Sequence, residues 1–276
     1  MKFAIFRNRQ IVLGMALAVA ASFAAPAFGQ YGGAAPQDTP SPSDKSEQAK
    51  PPQAPKLNPK EEADYKALNA TPDTNPDKKI QLGTQFMQKY PGSRYEESVM
   101  NQVVQAYYAK QDWNDFYSLA DKAVAKDPDD VDVLTVVGWV IPHLYKSDDP
   151  DASKKLDKAE SYEKHAIDVI PTLPKPDNMT DEQFATAKSG KLAEAHSGLG
   201  LIYFRLQDFP NSVKELQLAT IGNPMPDPTD LYALGAGLMQ LNKTSDAADA
   251  FSKCAEIPGG LQDRCKQMAA QAKGAK

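Results

Sequence analysis

Cys254 and Cys265 are the chain's only cysteines, eleven residues apart across Ile257-Pro-Gly-Gly260, a turn able to fold one helix back beside the next. In an exported chain an even cysteine count favours a structural disulfide, and a loop of about eleven residues closed this way stabilises by roughly 2–3 kcal/mol. Buried free thiols are the alternative; a redox pair lacks the Cys-x-x-Cys spacing. The three histidines, His143, His165 and His196, stand on separate helical stretches without a ligand at i+4, so no metal site is expected. Asp127/Asp129/Asp130/Asp132 and Asp148/Asp149/Asp151 lack the central glycine and distal glutamate of a calcium loop. Beside Pro128 and Pro150 they read as helix caps and turns. No glycine-rich phosphate loop follows a strand, and no Gly-x-Ser-x-Gly elbow or His–carboxylate pair accompanies the serines. The reading is a chain with no catalytic constellation and no cofactor.

Binding is left, and binding residues need elements to hold them. The chain has 276 residues, 41% hydrophobic and 24% charged, with 22 prolines and a net charge of −5. That acidity argues against a nucleic-acid partner, which needs a basic stripe. Residues 1–29 carry Lys2, Arg7 and Arg9, then the run Ile11–Ala21, then small residues around Ala24, Ala25, Ala27 and Gly29. This is the order of a secretory signal peptide, its apolar stretch of roughly fifteen residues below the ~20 a spanning helix needs. Cleavage is expected near Ala27 or Gly29, giving a periplasmic or secreted product with no membrane span. Loss of the three basic residues takes the charge from −5 to −8. Residues 30–59 hold seven prolines and one aromatic, Tyr31, and read as a disordered, extended linker.

From residue 60 the chain reads as successive helices with an internal period. Leu199-Gly200-Leu-Ile-Tyr203 aligns with Leu234-Gly235-Ala-Gly-Leu238 at an offset of 35, which also places Leu216 on Phe251, Ala219 on Cys254 and Ser212 on Ala247. Val137-Gly138-Trp-Val-Ile141 repeats the small-residue step, and Val103-Val104-Gln-Ala-Tyr107 is a looser copy. Each copy is followed by a second amphipathic stretch ending near Pro128, Pro171, Pro224 or Pro258.

These residues resemble the tetratricopeptide repeat, a 34-residue helix–turn–helix unit with Leu-Gly-x-x-Tyr in helix A, small and aromatic residues in helix B and a closing proline. The resemblance covers roughly residues 60–272 and implies an all-α, right-handed superhelical solenoid with a C-terminal capping helix. The repeats fall at about 97–130, 131–171 with an insertion, 193–226 and 228–261. Residues 60–96 form a degenerate first hairpin, with Tyr65 and Leu68 on its helix A and Ile80, Leu82, Phe86 and Met87 facing inward from its helix B. Lys89-Tyr-Pro-Gly-Ser-Arg-Tyr95 resembles the turn between repeats in bacterial envelope members. Two insertions break the period, Lys146–Ser153 and Thr172 to about Leu192. The second contains Thr180-Asp-Glu-Gln183, a helix-start signal that should lengthen the following helix.

In such repeats helix A lines the concave groove. Carrying the groove positions across nominates Asn101, Gln105 and Tyr108; Thr135, Trp139 and His143; Ser197, Leu201, Phe204 and Arg205; and Thr229, Tyr232 and Met239. Tyr, Trp, Phe and Arg are common interface anchors. Packing of Trp139 and Phe204 between hairpins is the competing assignment. Chaperone-binding relatives carry a carboxylate clamp of Lys, Asn and Arg; only Asn101 and Arg205 fit, so capture of an acidic C-terminal peptide is not expected. The functional expectation is a non-catalytic scaffold in the cell envelope that holds a partner protein or extended peptide. The alternative is binding of a cell-wall polymer or service as an accessory subunit, with Tyr108, Trp139 and Tyr232 stacking on sugar rings.

Overall fold

The computed structural model describes residues 58–223 and 225–274. The signal segment, its cleavage site and nearly all of the linker precede residue 58 and lie outside the described residues.

Eleven α-helices and one 3-10 turn follow one another, with no strand among the described residues. They pair as five hairpins: α1 (Pro59–Asn69) with α2 (Pro76–Lys89), α3 (Glu96–Lys110) with α4 (Trp113–Lys126), α5 (Val131–His143) with α6 (Ala152–Val169), α7 (Asp181–Arg205) with α8 (Phe209–Thr220), and α9 (Pro228–Gln240) with α10 (Thr244–Glu256). A final helix, α11 (Gln262–Gly274), packs on α10. None is long and apolar enough to cross a membrane.

Local chemistry sets the ends. Asn58, Asn75, Asp130, Asp208 and Asp227 accept backbone N–H bonds at the starts of α1, α2, α5, α8 and α9. Thr180 and Gln183 form a complete capping box, and α7 grows to 25 residues because the second insertion continues into it. The acidic clusters supply turns and a cap, as the sequence predicts: Asp127 accepts from Asp129 N, Asp149 from Asp151 N, and Asp130 caps α5. The turns between the helices of the second, fourth and fifth hairpins each place one residue in the left-handed region, Gln111 (φ 59°), Gln207 (φ 61°) and Asn242 (φ 58°).

Within a hairpin the two helices meet through a size exchange sixteen residues apart. A Cβ on Gly200 would lie 2.6 Å from Leu216 Cγ, and one on Gly235 would lie 2.7 Å from the Phe251 ring. The Ser212 hydroxyl donates to the Gly200 carbonyl at 2.9 Å, inside the same contact. In the second hairpin the same register holds Val104 and Ala120, both fully buried. There the large group has moved to helix A and the small one to helix B. In the third the glycine is Gly138 and the facing residue is Glu163, the longer spacing absorbing the first insertion.

Hairpins stack so that equivalent positions meet. The Tyr65 and Ser98 hydroxyls bond at 2.9 Å, Gln102 Nε2 donates to Asn69 at 2.7 Å, and Ser197 Oγ donates to Asp230 at 2.8 Å; each pair is 33 residues apart. Between the second and third hairpins His165 Nε2 meets Asp129 at 2.7 Å. The Lys89–Tyr95 string returns to α1: Lys89 and Tyr90 donate to Asp64, Ser93 to Glu61, and Arg94 and Tyr95 to Glu62. Tyr95 also stacks on Tyr65 at 3.9 Å between ring centres. At the other end Cys254 and Cys265 are disulfide-bonded and fully buried, with Cα atoms 5.7 Å apart.

Two outcomes are expected. Gly235→Val should cost about 1–3 kcal/mol by overpacking against Phe251, and adding Phe251→Ala should recover part of that loss, as the Val104/Ala120 pair implies. Urea unfolding of the single and double variants reads this directly. Replacing both cysteines by serine should cost about 2–3 kcal/mol in the same assay, and a thiol titration of the native protein should find no free group.

Candidate functional site

From the second hairpin on, helix A of one hairpin packs on helix A of the next, α3 on α5, α5 on α7 and α7 on α9. Helix B reaches the following hairpin through that hairpin's helix A, as α4 does on α5, α6 on α7 and α8 on α9. The A helices are therefore crowded together on one side of the stack, and the nominated residues ride on them.

The first of two groups joins three hairpins. Tyr108 on α3 meets Trp139 on α5 edge-on at 6.3 Å, and Trp139 stacks on His143 one turn later at 3.6 Å. His143 Nδ1 bonds the Trp139 carbonyl at 2.7 Å, which holds the ring against the indole. Arg205 on α7 donates from Nε to the Pro142 carbonyl at 3.0 Å and lies over the Tyr145 ring at 5.6 Å. Burial of this guanidinium lowers its pKa from the usual arginine value. Trp139 is 4% exposed and belongs to the core shared by the second and third hairpins, whereas Tyr108, His143 and Arg205 are half-buried.

The second group belongs to the last two hairpins. Phe204, Tyr232 and Met239 are half-buried against the core of α7–α11, Phe204 edge-on to Phe209 and Tyr232 edge-on to Phe251. The Tyr232 hydroxyl receives Arg264 Nε from the capping helix at 3.4 Å.

Other nominated positions serve packing and local bonding. Thr135 is fully buried and donates to the Val131 carbonyl at 2.8 Å; Leu201 is buried in the core of the last two hairpins. Ser197, also buried, is committed to Asp230. Asn101 lies near Asp130, whose carboxyl is pushed up to about 6 by burial and by neighbouring Asp132. Gln105 and Thr229 are half-buried on α3 and α9. The three histidines do not converge: His165 binds Asp129, and His196 binds Glu215 at 2.7 Å, which keeps that carboxylate low. Among the described residues no group of three or more His, Cys, Asp or Glu side chains could hold a metal ion.

Sequence reasoning missed Tyr145, the Pro142 carbonyl and Arg264. Tyr145 sits at the mouth of an insertion, where the period says nothing. Pro142 and Arg205 are 63 residues apart, so no local spacing announces their bond. Arg264 follows the last repeat and has no repeat position to carry across.

No protein-family model matches the chain, and no curated protein does. Among solved structures it is similar to a thermophilic TPR protein of Thermus thermophilus, with 18% identity, 72% of this chain and 91% of that one covered, and a TM-score of 0.48. It is also similar to yeast Tom70, with 15% identity, 73% of this chain but 37% of that one, and a TM-score of 0.49. A third is MamA of AMB-1, with 16% identity, coverages of 72% and 91%, and a TM-score of 0.47. Five stacked hairpins, a small-for-large exchange inside them and bonds one period apart between them make this chain, on its own geometry, a tetratricopeptide-type solenoid.

Proposed function

We propose that the chain is an exported, non-catalytic scaffold that holds a partner protein or an extended peptide along the face built by its A helices. The observation that carries this reading is the row Tyr108, His143 and Arg205, continued by Phe204, Tyr232 and Met239. These side chains are half-buried, so their rotamers are already restricted by packing while part of each ring or guanidinium stays open. Ordering cost on binding is thereby reduced. Tyrosine and arginine in such partly closed settings are the types that dominate interface energetics. The basic, apolar, small-residue order of positions 1–29 supports an envelope or extracellular location. For the polymer-binding alternative the expected platform is poor: Trp139, whose ring would have to stack on a sugar, is covered by Tyr108 and His143.

The test is site-specific photocrosslinking in the native host. A crosslinker replacing Tyr232 or Arg205 should trap one defined protein, and a crosslinker at exposed Lys122 on α4 or Gln217 on α8 should not. Equal trapping from the B helices would overturn the groove assignment. With the partner in hand, Tyr232→Ala should weaken binding by about 2 kcal/mol, roughly 30-fold, with helical content unchanged by circular dichroism.

A further inference from the structure

Glu163, on α6, has no exposed surface, and neither of its carboxyl oxygens has a hydrogen-bond partner. It stands where the repeat register asks for a large apolar side chain. Leu216 covers Gly200, Phe251 covers Gly235, and Glu163 covers Gly138. It touches a second glycine as well: a Cβ added to either Gly138 or Gly198 would collide with Glu163 Oε1. The carboxyl group is thus wedged between the backbones of α5 and α7, and each backbone is glycine at the point of contact.

The charged groups around it are already engaged. On α7, Lys191 pairs with Asp132 of α5 at 2.7 Å and with Glu194 at 3.4 Å. His196 is held by Glu215 of α8, and Tyr203 donates to Glu160 of α6 itself. The other titratable group of α5, His143, binds the Trp139 carbonyl at the far end of that helix. On α6, Lys164 pairs with Glu160, and the 3-10 turn Ile170–Thr172 has no titratable side chain. Among the described residues no cation bonds Glu163, and Lys191, whose charge reaches it, is already held by Asp132 and Glu194. As a carboxylate it would be an unpaired charge in a core, the most costly state a side chain can take there; as the acid it is neutral.

We propose that Glu163 is a proton-controlled latch on the seam between the third and fourth hairpins. With its proton it fills the space between Gly138 and Gly198. When the proton leaves to solvent, the carboxylate withdraws from the seam toward water and α6 parts from α7. Burial, reinforced by Glu194 and opposed by Lys191, raises this carboxyl well above the ordinary value of 4.5. The folded chain therefore keeps a proton that the unfolded chain has released. The stabilising contribution is complete below pH 4.5 and is lost as pH rises from there through the folded value, by about tenfold in the unfolding constant per pH unit.

The experiment compares the full chain with Glu163→Gln and Glu163→Leu between pH 5 and pH 9, by urea unfolding and by amide exchange corrected for its intrinsic pH dependence. Wild type should lose stability relative to both variants as pH rises, and its α6 and α7 amides should lose protection while those of α10 and α11 hold. Both variants should keep α6 and α7 protection level. An unfolding-constant ratio between wild type and variants that stays constant over this range would overturn the latch. Should neither variant fold, pH-independent protection of α6 and α7 in wild type would overturn it equally.

Discussion

Everything in this fold depends on how closely helix A can approach helix B. At the contact point one residue must be small because the other is large, and the position sixteen residues away carries the compensation. Gly200 under Leu216 and Gly235 under Phe251 solve the problem one way, and Val104 with Ala120 inverts it. Once the two helices are this close, neither has an apolar stripe wide enough to be satisfied by its partner alone. The next hairpin must cover what is left, and the stack follows. Burial of Leu216, Phe251, Phe116 and Phe86, none more than 2% exposed, is the energetic result.

The residues nominated for the groove ride on the A helices, on the side where these crowd. Trp139 has been drawn into the core: His143 lies flat on it and Tyr108 meets its edge. Arg205 is held at Nε by a carbonyl from the preceding hairpin, so its position reports the distance between α5 and α7. The same two helices clasp Glu163 at Gly138 and Gly198. The A-helix face and the buried acid thus share a pair of backbones.

Much of this is legible in the sequence, and the reasons differ by element. Gly200 and Gly235 are readable because a residue without a side chain, recurring at an offset of 35, marks a place where two backbones come close. The capping box at Thr180 is readable because it is local. The first hairpin is readable from Leu68 and Phe86, both of them buried. The groove residues are less so: repeat positions say which side of helix A a residue occupies, but whether Thr135 or Leu201 is covered depends on what the adjacent hairpin supplies. Glu163 is invisible to pattern reading because a glutamate in an amphipathic helix looks like an exposed one. Only the register with Gly138 distinguishes it, and the first insertion hides that register.

The two ends of the stack are secured by different chemistry. At α1 the bonds from Lys89, Tyr90, Ser93, Arg94 and Tyr95 to Asp64, Glu61 and Glu62 are polar, and the two ion pairs among them, Lys89–Asp64 and Arg94–Glu62, are exposed and of the kind that salt weakens. At α11 the fastening is covalent and dry. Mechanically this is a zipper with its stop sewn at one end: a load applied at α1 would meet reversible bonds, and a load between α10 and α11 a covalent one.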